Sequence, residues 1–263
     1  LEARPEALAL EPGRAVARVL AGQPGGFRIY SPSYSLPALA AVERGLAQAD
    51  GVNPLQLADY VAVMRIATGT DGGRGTGDGG QSGTTNDSGG TSGRQPPAAG
   101  VLNPGYSVTL PPFPGGDPAT ANRDARPNPA ALGLLNIGYV VSAFPLAVPG
   151  LQPIEPQPVA GATLYRNTLA QARYRLLYRL PRATDRAELL ATFARGELAT
   201  LNDAVPNRPL PGPDSPSDGA PAAPRAIAVL EESPDRIRLQ VQAERAGMLV
   251  VSGIGYPGWR ARV

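Results

Sequence analysis

The stretch that decides the fold is residues 126–144, RPNPAALGLLNIGYVVSAF. Arg126-Pro127-Asn128-Pro129 leads into a short apolar helix over residues 130–135. The period then changes, and residues 137–144 read as a β run rich in Ile, Val, Tyr and Phe. Helix and strand thus follow each other within one apolar segment. The 28 positions from 127 to 154 carry no charge. About 20 apolar residues can span a bilayer as a helix. Here, however, Pro129, Asn136, Pro145 and Pro149 interrupt the run, and the switch of period argues against one continuous helix. The segment therefore does not read as a membrane span, and its mixture of helix and strand fits an α+β fold.

Short elements of both kinds surround this segment. Upstream, residues 14–20 predict a short helix with Pro12 near its start, ended by Gly22 and Pro24. Residues 27–30, Phe-Arg-Ile-Tyr, predict a strand. Residues 39–49 predict a helix with Leu39, Val42 and Leu46 on one face. Asn53 and Pro54 have the residue types of an N-cap and a first helical position, with Leu55, Leu57, Tyr60, Val61 and Met64 tracing the helix that follows. Downstream, residues 162–166 and 173–180 predict strands. In the second of these, Tyr174, Leu176 and Tyr178 alternate with Arg173, Arg175 and Arg179. Thr184 is the expected N-cap of a helix with Glu188 in its first turn and Gly196 at its end.

Two stretches are unsuited to a core. Residues 69–100 hold 12 Gly and no apolar side chain larger than Ala, which predicts a disordered insert. Residues 206–224 hold 7 Pro and predict a semi-extended linker. The expected organisation is then a mixed α/β portion over 11–205, the linker over 206–224, and an antiparallel β-sandwich portion over 225–263. In the last portion Ile237, Leu239 and Val241 alternate with Arg236, Arg238, Gln240 and Gln242, the pattern of a half-buried strand. Residues 248–252 form an apolar run, and Trp259, Ala261 and Val263 alternate with Arg260 and Arg262. The sandwich is expected to be truncated. A first residue of Leu1 rather than Met gives the same expectation of a segment from a longer chain.

Composition removes whole classes of chemistry. Among 263 residues there is no His, no Cys and no Lys, and all 24 basic residues are Arg. A Ser-His-Asp or Cys-His nucleophile system, a zinc site of the usual ligands, a Walker A lysine and a Schiff-base lysine are all excluded. Asp, Glu, Tyr, Arg, Ser and Thr remain. The formal net charge of +2 gives no strong field, so nucleic acid is not an expected partner. The 32 Gly and 30 Pro are about double the ordinary share, and the two inserts raise both totals. No apolar secretory core opens the chain: residues 1–18 hold Glu2, Arg4, Glu6, Glu11, Arg14 and Arg18.

Few residues suggest a site. Residues 71–80, Asp-Gly-Gly-Arg-Gly-Thr-Gly-Asp-Gly-Gly, lack the repeated apolar position of calcium-binding nonapeptides and read as part of the insert. Asp117, Arg123, Asp124 and Arg126 could form a polar cluster, and paired carboxylates suit acid–base or metal chemistry. A solvated loop with local Arg–Asp pairing is the simpler reading. Tyr256, Trp259 and Arg260, with Arg262, could present an aromatic platform with guanidinium groups to a sugar. Against this, the alternation of Trp259 with Ala261 and Val263 places the indole on the core side. No catalytic residue, metal ligand or cofactor is expected.

Several separated strings together resemble the extracytoplasmic C-terminal region of YfhO-type bacterial membrane proteins. They are Arg28-Ile29-Tyr30-Ser31-Pro32, Asp50-Gly51-Val52-Asn53-Pro54-Leu55 with Tyr60, and residues 132–142. Leu164-Tyr165-Arg166-Asn167, Glu232-Ser233-Pro234-Asp235-Arg236-Ile237 and residues 255–261, Gly-Tyr-Pro-Gly-Trp-Arg-Ala, complete the set. The resemblance implies a polytopic parent in the cell membrane, similar to C-type glycosyltransferases that use polyprenyl-phosphate sugars. The catalytic carboxylate of such enzymes lies on an early extracytoplasmic loop that no position here matches. This segment would be a non-catalytic extracytoplasmic domain helping to recognise an acceptor glycan or cell-envelope polymer. The alternative is a structural or protein-interaction module docking on its own transmembrane domain.

Overall fold

The computed structural model describes residues 5–49, 55–69, 102–104, 122–154, 158–178, 181–201, 227–233, 235–243, 247–253 and 259–263. The Gly-rich insert beyond Gly69, the linker over 206–224, and Asn53 and Pro54 lie outside them.

The decisive stretch folds as helix then strand, with a polar residue at each junction. Asn128 caps the helix α4 (Pro129–Leu134), its side chain accepting from the amides of Ala130 and Ala131 at 3.1 Å each, with Pro129 at the first position. Asn136 then takes φ +61, the left-handed conformation that Asn tolerates better than most residues, and turns the chain into β5 (Ile137–Ser142). Gly133 lets the helix approach the backbone of residue 169: a Cβ there would lie 2.1 Å from the Leu169 carbonyl oxygen.

β5 is the middle of a five-stranded mixed sheet. With β1 (Arg28–Tyr30), β2 (Ala47–Gln48), β6 (Leu151–Pro153) and β7 (Thr163–Asn167), the order is β2-β1-β5-β7-β6. β1 runs parallel to both β2 and β5, whereas β7 runs antiparallel to β5 and β6. Every residue of β5 is buried, because helices cover both faces. Tyr30, Val140 and Tyr165 pack under α3 (Ala58–Thr68), α4 and α5 (Arg186–Ala194) through Val61, Met64, Leu132 and Phe193. Ile29, Tyr139, Val141 and Leu164 face α1 (Pro5–Ala21) and α2 (Ala38–Val42) through Val16, Ala17, Leu20, Ala40 and Ala41. Burial on both faces is why the sequence of β5 shows no polar–apolar alternation. A fully buried Leu or Val side chain contributes about 1.5–3 kcal/mol, and most such residues lie in these two layers.

The architecture is α+β, and four local expectations are corrected. The helix expected over 39–49 stops at Val42; Gly45 at φ +66 turns the chain into β2 instead. Leu39 and Val42 are 54% and 71% exposed, while Ala40 and Ala41 form the buried side, so the larger apolar residues were the wrong guide to the face. Leu55–Leu57 is a strand, β3, paired antiparallel with β4 (Leu102–Pro104), and the helix begins only at Ala58. α1 starts at Pro5 and keeps Pro12 inside it; a proline removes one backbone donor there, while Val16, Ala17 and Leu20 anchor the following turns. Asp185, not Thr184, caps α5, accepting from the Glu188 amide at 2.8 Å. Thr184 donates through its amide and hydroxyl to the Glu188 carboxylate at 2.6 and 2.7 Å.

The C-terminal portion is antiparallel but divided. β11 (Ala228–Glu232) pairs with β12 (Ile237–Gln240), with an irregularity between Val229 and Glu231. β13 (Met248–Val251) pairs instead with β8 (Tyr174–Leu177), which precedes the linker. β9 (Arg182–Ala183) and β10 (Thr200–Leu201) form a further small parallel pair. Residues 259–263 form no strand and are exposed throughout, so the alternation of Trp259, Ala261 and Val263 is not that of a core-facing strand. Among the described residues, no helix is long and apolar enough to cross a membrane.

Candidate functional site

Three of the strings that carry the family resemblance, over residues 28–32, 132–142 and 164–167, meet at the central sheet, where Ser31, Asn136, Tyr165 and Asn167 are spent on the backbone. The Ser31 hydroxyl donates to the Val141 carbonyl at 3.0 Å and accepts from the Ser35 amide at 2.9 Å. Asn136 donates to the carbonyls of Gly26 and Gln171 at 3.2 and 2.9 Å. Asn167 donates to the carbonyls of Pro129 and Ile137 at 2.9 and 3.0 Å and accepts from the Leu169 amide at 3.0 Å. The Tyr165 hydroxyl accepts from the Leu146 amide at 2.9 Å. Buried polar groups satisfied in this way hold loops to the sheet; they are not poised for chemistry.

Arg123, Asp124 and Arg126 come together at the rim of a cleft of about 410 Å³, which Ala143, Phe144, Pro145 and Ala147 also line. Phe144 is part of the core, and Asn122 anchors the turn by donating to the Pro32 carbonyl at 2.8 Å. Asp117 lies outside the described residues. Asp124 is therefore the one carboxylate among the described lining residues, and it makes no ion pair with the two arginines among the described contacts. No group of three or more His, Cys, Asp or Glu side chains able to hold a metal ion occurs among the described residues.

Of the aromatic trio, Tyr256 lies outside the described residues. Trp259 is 48% exposed and Arg260 is exposed beside it. The indole is thus available at the surface, and it does not pack in the core.

Sequence reasoning missed a third place, the junction where β8 meets β1 and β11. Arg28 and Arg173 gather there with Tyr174 and, among the described residues, one carboxylate, Glu232; Arg175 follows on β8. Arg175 donates to the Leu134 carbonyl and the Ser252 hydroxyl at 3.2 Å each, and to the Gln171 side-chain oxygen. Arg28 donates to the Leu135 carbonyl at 3.4 Å. These two guanidinium groups thereby cover carbonyls at the C-terminal end of α4, the favourable end for a cation. Arg173 forms an ion pair with Glu232 and lies 5.6 Å from the centroid of the Tyr174 ring, within cation–π range.

The electrostatics of this junction are strained. Burial, and then repulsion from Arg173, lower the Arg28 pKa from its ordinary value, and burial alone lowers that of Arg175. Burial, and then the neighbouring Glu232 carboxylate, push the Tyr174 phenol up to about 12. The Nε atoms of Arg173 and Arg175 are buried without a hydrogen-bond partner. A buried donor left unsatisfied costs about 1–3 kcal/mol. The available signal was the alternation of Arg173 and Arg175 with Tyr174, which predicts a strand; all four residues of β8 are half-buried.

Comparison of the chain with models of known families, with curated proteins and with solved structures finds no match.

Proposed function

We propose that this chain is a non-catalytic extracytoplasmic domain of a polytopic, glycosyltransferase-like membrane protein, and that it helps recognise an acceptor glycan or cell-envelope polymer. The observation that carries this reading is how the family-like strings spend their polar groups. Ser31, Asn136, Tyr165 and Asn167 all bind backbone atoms. What remains for a ligand is an exposed indole at Trp259, guanidinium groups at Arg260, Arg123 and Arg126, and the open cleft beside Phe144. Aromatic faces and fixed donors suit saccharides better than bond-breaking.

Trp259 is the single tryptophan of the chain, so its fluorescence reports on this surface alone. Titration with oligosaccharides and with cell-envelope polymer fragments is expected to give a saturable change in Trp259 emission and amide shifts near Tyr256. A flat titration, with no shift at either residue, would sink the saccharide reading. The alternative, docking on the protein's own transmembrane domain, is favoured by Val229, Leu230, Leu249 and Val251, which are 47%, 57%, 39% and 39% exposed on β11 and β13. Under that reading the same titrations stay flat, while protection of β11 from hydrogen exchange rises in the full-length protein.

A further inference from the structure

The junction of β1, β8 and β11 contains more cationic donors than it has acceptors to satisfy them. Two guanidinium groups, Arg28 and Arg173, share one carboxylate, Glu232, among the described residues, with a third, Arg175, next along β8. Each guanidinium carries five N–H donors. Arg175 is committed to Gln171, Leu134 and Ser252. Arg28 makes a single long bond to the Leu135 carbonyl and, among the described residues, no ion pair. Arg173 binds Glu232 through Nη1 while its Nε finds no acceptor, and the same carboxylate neighbours the Tyr174 hydroxyl. Glu232 comes from the end of β11, four of whose five residues are exposed, and its side chain is 35% exposed. It can swing away without disturbing either layer of the core.

We propose that Arg28 and Arg173, with the Tyr174 hydroxyl, form a binding site for a small oxyanion carried by a ligand, a phosphate or a carboxylate, and that Glu232 is its resident competitor. An incoming oxyanion supplies what the junction lacks, namely negative charge between two repelling guanidinium groups and several acceptor lone pairs at once. Charge-assisted bonds of this kind are short and about twice as strong as neutral ones. Arg rather than Lys suits the role because its planar fork matches either oxyanion in a bidentate manner. The site uses none of the residues assigned to saccharide contact, so it stands or falls independently of saccharide recognition.

The test follows the arginine Nε–Hε resonances while inorganic phosphate, and separately glucuronate, is added at constant ionic strength. Saturable shifts of Arg28 and Arg173 are expected with at least one probe, and the probe that binds more tightly identifies the source of the oxyanion. Glu232→Gln removes the competitor and should tighten binding by about fivefold to tenfold. Arg173→Gln should abolish the shift at Arg28 while leaving the amide spectrum of β5 intact. Absence of a saturable shift with both probes, in the unmodified protein and in Glu232→Gln, overturns the proposal. Equal affinity in Glu232→Gln and the parent overturns the competitor role. Should Arg173→Gln fail to fold, the Glu232→Gln comparison decides alone.

Discussion

The central sheet and the C-terminal hairpin are built from similar residues and bury them very differently. Val140 and Val141 in β5 are wholly inaccessible, whereas Val229 and Leu230 in β11 are 47% and 57% exposed. Both stretches carry apolar β-formers and both form strands, although β11 ends in Glu231 and Glu232. The difference lies in what covers them. β5 has a strand on each side and helices over both faces, whereas β11 has one partner strand. A two-stranded sheet is marginal in water by itself. Apolar β-forming sequence therefore predicts strand, and only the number of neighbouring elements predicts burial. The stability of this protein should reside in the central layers, with the hairpin contributing little.

Truncating the core gives the largest effect that this contrast predicts. Leu132 is fully buried between α4 and the sheet. Leu132→Ala should cost about 2–5 kcal/mol by lost transfer energy and cavity formation, read as a lower urea midpoint at unchanged slope. A cost under about 1 kcal/mol would break the contrast at its stronger end. Next comes Asn167→Ala. It leaves the carbonyls of Pro129 and Ile137 and the amide of Leu169 without their partner, inside a site where Asn167 is 2% exposed. About 2–3 kcal/mol is expected, with the earliest loss of exchange protection in the turn after β7.

Much of the central block was legible in advance, for a physical reason. Residues 130–135 and 137–144 were readable because the period changes between them, and β5 and α4 lie within a residue or two of those bounds. The half-buried alternation of Ile237 and Leu239 with Arg238 and Gln240 was readable because one face of β12 meets more protein than the other. α2 was misread because small residues, Ala40 and Ala41, form its buried face, with Gly13 of α1 close against Ala40 and Pro37. With the buried face made of alanines, the larger apolar residues pointed the wrong way. The pairing of β13 with β8 was invisible because the partners lie on opposite sides of the Pro-rich stretch, and alternation states nothing about partner choice. The candidate site was legible least. Arginines read as solvent-facing, and only the meeting of β1, β8 and β11 brings Arg28 to Arg173.

Two smaller effects sharpen the contrast at the margins. α5 helps cover the sheet through Phe193, and Asp185 caps it. Asp185→Ala should cost about 1 kcal/mol, seen as faster amide exchange in the first turn of α5. At the junction between the two regions, Tyr174 titrates higher in the folded chain than when unfolded. A raised phenol pKa means that the folded state holds its proton longer. The associated stability is present below pH 10 and is lost as pH rises from about 10 toward 12. Solvent screening at this half-open place keeps the effect to roughly 1 kcal/mol or less. Tyr174→Phe should flatten that alkaline slope, measured by urea midpoints at successive pH values.

The smallest expected effect is the most exacting test of the contrast. Leu230 is an apolar side chain on a strand, and by sequence alone it resembles Leu164, which is fully buried in β7. If burial follows the number of covering elements, Leu230→Ser should change stability by no more than about 0.5 kcal/mol, because little apolar surface leaves water there on folding. It should also improve solubility by breaking an exposed apolar run on a strand edge. A loss of 2 kcal/mol or more, on the scale of a core truncation, would mean that a further element covers β11 in solution, and the hairpin would then belong to the same buried class as the central sheet.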